Sequence, residues 1–284
     1  MMDRSRQICI YCKALGVTSR MLVFPDELRC SNCANVYQIK YGVEYVIKDP
    51  ALIYDEFDKI KSFFKRYPAL YQLFGTFFGP LLPSFQFKVK KTITSLIKKK
   101  DFAGINLGSG TSNFGASVIN VDFSAFQNVD IVANILDLPF EDNFFDLVVL
   151  TEVIEHIESP ELLISEIFRI LKKDGFLVFT SPFMIGFHAS PCDFQRYTVS
   201  GLQKLLSNFK IIEMQSFGPT GSLLWIFQEW CALWFSFGNR KIHTFLVIFF
   251  MILTSPFKIL DFFLSKNSNS TSIASTYFML AQKV

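Results

Sequence analysis

Ile105-Asn106-Leu107-Gly108-Ser109-Gly110-Thr111, followed by Val118-Ile119-Asn120-Val121-Asp122, is the stretch that decides the fold. Two short apolar runs end abruptly, the first in a glycine turn and the second in an acid. Glycines let the main chain approach a bound molecule closely, because no Cβ stands in the way. A carboxylate at the tip of the next strand can accept both hydroxyls of a ribose. Together they point to a nucleoside cofactor lying across the open end of a parallel sheet.

The same rhythm continues downstream. Val129–Ala133, Phe145–Leu150, Phe176–Thr180 and Lys210–Met214 read as further strands. Phe145–Leu150 is apolar on both faces, as a buried parallel strand requires. Ser159–Leu171 reads as a helix with Pro160 in its first turn, and Thr198–Leu206 as a helix opened by a hydroxyl cap. Strands alternating with helices predict a doubly wound α/β sheet.

With these residues in order, the chain resembles the class I S-adenosylmethionine-dependent methyltransferases of the type 11 kind. The resemblance rests on Leu107-Gly108-Ser109-Gly110, on Asp122, and on Asp137-Leu138-Pro139-Phe140-Glu141-Asp142. Two further strings carry it: Thr151-Glu152-Val153-Ile154-Glu155-His156-Ile157, and Glu166–Leu177 leading into the fifth strand. It covers residues 103–216 and the last ten positions. It implies a seven-stranded sheet and S-adenosylmethionine as cofactor. Gly108, Ser109 and Gly110 would line the methionine end, and Asp122 would hold the ribose. Asp137 would accept from the adenine amino group with Leu138 beside the ring, and Thr151 and Glu152 would flank the sulfonium. Two departures stand out. Asn106 occupies a position where the family usually has an acid, and only seven residues separate Gly110 from Val118, too few for the usual first helix. A dinucleotide-binding oxidoreductase is the competing reading, but its third glycine and helix-borne pyrophosphate site are both missing.

Methyl transfer from an activated sulfonium needs alignment more than acid–base machinery, with a base added if the acceptor is a hydroxyl. His156 is a candidate base; the alternative is a contact that caps the helix after Ser159. The cluster His188-Ala189-Ser190-Pro191-Cys192-Asp193-Phe194-Gln195-Arg196-Tyr197 follows the fifth strand. Its charges and aromatics are costly to bury without partners, which favours a pocket rim over a plain loop. There His188 is a second candidate base, Asp193 and Arg196 would orient a polar acceptor, and Tyr197 would pack beside it. Cys192 reads as a bystander. Similar strings occur in relatives that modify glycans.

Ahead of this core, Cys9-Ile10-Tyr11-Cys12 and Cys30-Ser31-Asn32-Cys33 lie 17 residues apart. Two Cys-x-x-Cys knuckles make a tetrahedral sulfur cage suited to a structural zinc, with Cys9, Cys12, Cys30 and Cys33 as ligands and no open position for catalysis. Free or redox-active thiols are the alternative. Short strands are expected at Arg20–Phe24, Val36–Ile39 and Tyr41–Ile47. So small a unit needs metal binding for much of its folding free energy. No long apolar stretch precedes Cys9, so no signal peptide is expected, and thiol pairs suit a reducing, cytoplasmic compartment.

Residues 49–100 read as a helical linker. It contains a helix at Tyr54–Phe64, an aromatic stretch Tyr71–Phe78, and a helix from Phe87 to Lys100 with a lysine-rich face. Those lysines serve solubility or meet anionic lipid. The net charge of +3 is too mild for a nucleic-acid partner.

All three tryptophans and ten of the 34 phenylalanines lie after Gly218-Pro219, in an unusually apolar region. Leu223–Phe235 holds every tryptophan, Gly238-Asn239-Arg240-Lys241 breaks the run, and Thr244–Phe257 carries no charge. The uncharged interval between His243 and Lys258 is 14 residues. As a helix it rises roughly 21 Å, short of a hydrocarbon core of roughly 30 Å. A hairpin lying in one leaflet fits better than a span, with a lid or a homodimer interface as the other option. Ser275–Ala281 reads as the last, antiparallel strand.

The expected organisation is a zinc ribbon at 1–48, the linker at 49–100, the cofactor-binding core at 101–216, an apolar insertion at 217–272, and the final strand at 273–284. The expected function is methyl transfer to a polar acceptor at a membrane surface: a glycan, a lipid-linked sugar or a lipid. The alternatives are a small-molecule or quinone-precursor enzyme, a tRNA or protein methyltransferase, and a non-catalytic scaffold.

Overall fold

Apolar runs of the kind quoted above dictate where the sheet forms, and the elements follow them closely. The structure is a computed structural model describing residues 7–47, 82–97, 102–187 and 192–284. In chain order it begins with α1 (Ile10–Ala14), β1 (Met21–Val23), β2 (Glu27–Cys30), β3 (Val36–Lys40) and β4 (Val43–Tyr45). Helix α2 (Pro83–Leu96) leads to β5 (Gly104–Leu107), β6 (Val118–Asp122), β7 (Ile131–Val132) and β8 (Phe145–Thr151). Then come α3 (Pro160–Ile170), β9 (Leu171–Pro182), α4 (Val199–Leu205) and β10 (Phe209–Phe217). Helices α5 (Pro219–Ser236), α6 (Arg240–Thr254) and α7 (Asp261–Leu264) precede β11 (Thr276–Lys283). The expected helix at Tyr54–Phe64 and the aromatic stretch at Tyr71–Phe78 lie outside the described residues, as do Lys98, Lys99 and Lys100.

Strand order across the sheet is β1-β2-β3-β4-β7-β6-β5-β8-β9-β11-β10. From β7 to β9 neighbouring strands run parallel. Strand β11 is antiparallel to both β9 and β10. Strands β5 and β8 sit centrally with almost every side chain buried, which explains their unbroken apolar sequence. Helix α3 turns Leu163, Ile164, Ile167 and Ile170 inward at helical spacing, and Phe140, Phe144 and Phe145 meet in ring contacts under it. Full burial of each such side chain contributes about 1.5–3 kcal/mol. Residues 111–117 form no helix, as their number requires, so β5 passes to β6 through a bare loop.

The sheet has eleven strands rather than the seven expected, because the cysteine-rich segment joins it. Strand β4 pairs parallel with β7, Glu44 opposite Ile131 and Tyr45 opposite Val132. An open strand edge presents main-chain groups that accept a partner whatever its side chains.

At the other edge, α5 and α6 pack against each other between β10 and β11. Phe227 meets Phe250 edge-on, with ring centroids 6.3 Å apart, and Gln228 donates to the Thr254 hydroxyl at 2.7 Å. The buried Asp261 carboxylate accepts from the amides of Thr220 (2.6 Å) and Gly221 (3.2 Å) in the first turn of α5. It satisfies two donors that a helix start leaves without intrahelical partners. The outward side stays apolar and bare: Leu233, Trp234, Phe245, Phe249 and Phe263 are all exposed.

Candidate active site

The glycine turn leaves β5 with Gly108 at φ 64° and Gly110 at φ 52°, both left-handed. A Cβ on Gly108 would lie 2.5 Å from a methyl of Val153, whereas one on Gly110 would point into open space. The turn is held from β6. Asp122 accepts from the Gly110 amide at 2.8 Å and from the Ser124 amide at 3.0 Å. The half-exposed acid assigned to the ribose thus also fixes the glycine turn. Between the glycines, the buried Ser109 hydroxyl makes no hydrogen bond among the described residues. An orphaned buried hydroxyl, an open glycine and a strand-tip carboxylate fit the methionine and ribose portions of S-adenosylmethionine.

Asp137, expected beside the adenine, is half-exposed and takes the Lys13 ammonium of α1 on Oδ1 at 2.6 Å. Lys13 also reaches Glu166 (3.0 Å) and the Leu138 carbonyl (3.3 Å). Leu138 differs from expectation. Its side chain is wholly buried in the core, and its main chain is what lies at this rim, the amide donating to Glu166 at 2.7 Å. Burial acts to raise the Glu166 carboxyl, but hydrogen bonds from Arg169, the Leu138 amide and Lys13 outweigh it and hold it below the ordinary glutamate value.

Thr151 and Glu152 sit together at the tip of β8. Glu152 has φ 52°, a left-handed conformation uncommon for a side-chain-bearing residue. The Thr276 hydroxyl of β11 donates to its carboxylate at 2.7 Å, and its amide donates to the Thr180 hydroxyl of β9 at 3.0 Å. Three strands therefore converge on this residue. Beside it lies Glu155, fully buried. Burial first, and the neighbouring Glu152 charge second, push the Glu155 carboxyl up to about 9. Burial also raises Glu152, partly offset by its threonine partners.

His156 ends the short turn Ile154–His156. Its Nδ1 meets the Cys192 carbonyl, and its Nε2 lies 3.6 Å from Glu155. Phe194 and Gln195 also bond to main-chain carbonyls of Glu155, Ile154 and Ile157, stitching the segment after Cys192 onto this turn. Asp193 and Arg196 form a two-pronged ion pair with each other. Tyr197 packs against the core, where burial and then the Glu161 charge push its hydroxyl up to about 12. His188 lies outside the described residues. The structure thus draws Glu152, Glu155, His156, Asp193 and Arg196 into one network of contacts, with Thr151 beside them, and ties Gly110 to Asp122 and Asp137 to Lys13.

The four cysteines form a second centre. Cys9 and Cys33 sulfurs are 3.6 Å apart, as are Cys12 and Cys30, and all four lie within 4.8 Å of one another. A tetrahedron with 2.3 Å zinc–sulfur bonds has edges of roughly 3.8 Å. The amides of Asn32 and Cys33 point at Cys30 Sγ, both at 3.4 Å, which favours a thiolate. The set fits a closed structural zinc site, and no fifth group is needed.

The glycine turn and the candidate ribose and adenine acids follow the carboxyl ends of β5, β6 and β7. Residues 104–179 match the family described as Methyltransferase domain. An uncharacterized protein of Methanocaldococcus jannaschii is 37% identical over 92 residues, covering 28% of this chain and 40% of the relative. The chain thus matches less than half the length of that relative. A methyltransferase from Archaeoglobus fulgidus superposes with a TM-score of 0.46 at 16% identity, covering 75% of this chain and 99% of that one. A Haemonchus contortus phosphoethanolamine N-methyltransferase in complex with S-adenosylhomocysteine gives 0.45 at 16% identity, covering 69% and 52%.

Sequence reading missed Lys13 and Glu155. Lys13 acts across 124 residues, a separation that no local pattern signals. Glu155 was visible as the second acid of Glu152-Val153-Ile154-Glu155, a spacing that a tight turn folds onto one side.

Proposed function

We propose that the chain transfers methyl groups to a polar acceptor held at a membrane surface, a lipid-linked sugar or lipid. The carrying observation is the crevice above the parallel strands, with Asp122 fixing the glycine turn on one side and Glu152 anchored by three strands on the other. Bound S-adenosylmethionine would supply an activated methyl on a sulfonium. The protein's part is placement. Gly108 and Gly110 give close main-chain approach, Asp122 and Asp137 hold the nucleoside, and Thr151 and Glu152 bound the space where an acceptor aligns. A hydroxyl acceptor can pass its proton to Glu152 or His156.

The membrane reading rests on the apolar hairpin. Arg240–Leu264 is a continuous helical run of 25 residues, long and apolar enough to cross a bilayer. Yet Lys258 and Asp261 within it are buried against the protein, and Asp261 caps α5. A segment pinned this way lies along a surface more readily than it crosses one, with the exposed tryptophans and phenylalanines toward lipid. The two Cys-x-x-Cys pairs support residence on the cytoplasmic face of a membrane, and a homodimer through the same apolar face is the rival arrangement.

The test is incubation of the zinc-loaded protein with methyl-labelled S-adenosylmethionine and lipid-linked extracts, with flotation on vesicles of neutral and anionic phospholipid. Label in the lipid fraction is expected, and flotation should disappear when Trp230, Leu233 and Trp234 are changed together to serine. Label only in RNA or protein would refute the acceptor class. No binding of S-adenosylhomocysteine would refute the enzyme and leave a scaffold. A dimer that remains in solution and never floats would refute the membrane surface.

A further inference from the structure

The cysteine-rich unit does more than stand ahead of the core. Its single helical turn, α1, carries Lys13 directly after the ligand Cys12, and that lysine is the bond between the metal centre and the candidate adenine acid. The approach is fixed by main chain as well. The Ile8 amide donates to the Pro139 carbonyl at 3.1 Å, Gln7 bridges to Phe140, and Gln7 Nε2 donates to Glu44 at 2.9 Å. The unit is therefore docked on the Asp137–Phe140 loop itself, two residues from the acid in question. Metal ligation by Cys9 and Cys12 would set where α1 stands, and α1 carries the Lys13 ammonium.

Charge decides what the lysine does there. Asp137 and Glu166 both converge on Lys13 Nζ, at 2.6 and 3.0 Å. Glu166 has other partners, with Arg169 donating at 2.7 Å to one oxygen and 2.8 Å to the other. Asp137 has no such second anchor among the hydrogen bonds described, and its side chain is 43% exposed. Without the ammonium, two carboxylates face each other at close range, and the looser one turns away. The ion pair occupies Asp137 Oδ1, and no hydrogen bond to Oδ2 is seen among the described residues.

We propose that Lys13 is a positioning residue for the cofactor, through which metal loading of the cysteine cage is coupled to recognition of the adenine amino group by Asp137. This rests on the methyltransferase reading above. By linkage the coupling runs both ways: cofactor binding must strengthen metal retention by the same factor that metal strengthens cofactor binding.

The experiment uses the full-length, zinc-loaded chain and calorimetric binding of S-adenosylhomocysteine and of its inosine counterpart, which carries a carbonyl in place of the adenine amine. Lys13→Gln is expected to weaken the adenine ligand roughly five- to tenfold, a typical coupling factor, and to leave the inosine ligand within twofold. Lys13→Arg, which keeps the charge, should restore most of the adenine preference. Saturating S-adenosylhomocysteine should also slow zinc transfer to a chromogenic chelator in the wild type but not in Lys13→Gln. Zinc content of each variant reports whether its cage is intact. Equal adenine affinity in Lys13→Gln and wild type, or equal losses for both ligands, would overturn the coupling while leaving the methyltransferase reading in place. A zinc-loaded wild type that binds neither ligand would overturn that reading, and the coupling with it.

Discussion

The two halves of the crevice handle charge in opposite ways. On the cofactor half, bordered by the cysteine-rich unit, every acid has a donor in place. Asp122 takes two amides, Asp137 takes Lys13, and Glu166 takes Arg169, an amide and Lys13. On the acceptor half, bordered by the apolar hairpin, Glu152, Glu155 and Asp193 crowd around one arginine, and burial raises the two glutamates. A surface suited to a fixed ligand keeps its carboxylates satisfied by donors. A surface suited to proton exchange holds carboxyls that burial raises above their ordinary value.

The borders differ as well. The unit docked on the Asp137–Phe140 loop is too small to stabilise itself by apolar burial, and its four converging cysteines fit a structural metal. The hairpin at the other edge has more apolar surface than the core can cover. The largest expected effect follows from the first. Stripping the metal with a chelator, or changing Cys12→Ser with Cys30→Ser, should unfold residues 7–47, since structural zinc supplies an apparent ~10–16 kcal/mol in small zinc domains. Hydrogen exchange should show lost protection there with β5, β8 and β9 still protected. If the segment stays protected without metal, the contrast between the two borders is wrong.

Next is the turn itself. Gly108→Ala introduces a Cβ 2.5 Å from Val153 at a left-handed φ. Strain of about 1–2 kcal/mol and overpacking of about 1–3 kcal/mol should add. Denaturant unfolding should register the loss, and S-adenosylhomocysteine binding should fall with it. Gly110→Ala, with open space at its Cβ, should cost only the strain. Equal costs at the two glycines would show that Val153 yields.

On the hairpin side, Asp261→Ala leaves the Thr220 and Gly221 amides buried without an acceptor. About 1–3 kcal/mol is expected, and limited proteolysis should open α5–α7 before the sheet. Protease resistance equal to wild type would mean the hairpin is held by apolar packing alone, which would weaken the argument that it is pinned along a surface.

Much of the core could be read from sequence because its signals are local. Leu107–Gly110, Asp122 and Phe145–Leu150 each declare themselves within a few residues. Thr198 was legible as a cap, and its hydroxyl accepts from the Gly201 amide at 3.2 Å. What escaped was set by distant partners. The pairing of β4 with β7 uses main-chain groups that any sequence supplies. Leu138 reads as a rim residue by motif, but the packing beneath α3 draws it fully inside. The left-handed turn at Glu152 is imposed by Thr180 and Thr276, from strands far along the chain. Local chemistry writes elements and motifs; the assembled sheet decides which motif residues face the crevice.

The subtlest prediction concerns the acceptor half. Glu155 has its folded value raised, from an ordinary 4.5 to about 9, by burial and by Glu152. A raised acid is protonated in the folded protein over a range where the unfolded chain has already ionised. Its stabilising contribution is therefore whole below about pH 4.5 and is lost progressively as pH rises toward 9. Glu152 shifts in the same direction and adds to the slope. Glu155→Gln keeps the shape and removes the titration. Denaturant midpoints between pH 5 and 9 should fall with pH in the wild type and flatten in the variant, which should overtake it at the alkaline end. The cofactor half offers the control. Glu166 is held below its ordinary value, so its contribution is present above that value and is lost only as pH falls through the lowered one. Glu166→Gln should leave the alkaline slope unchanged. If both variants flatten it, or neither does, the two halves do not differ in the way their charges are arranged.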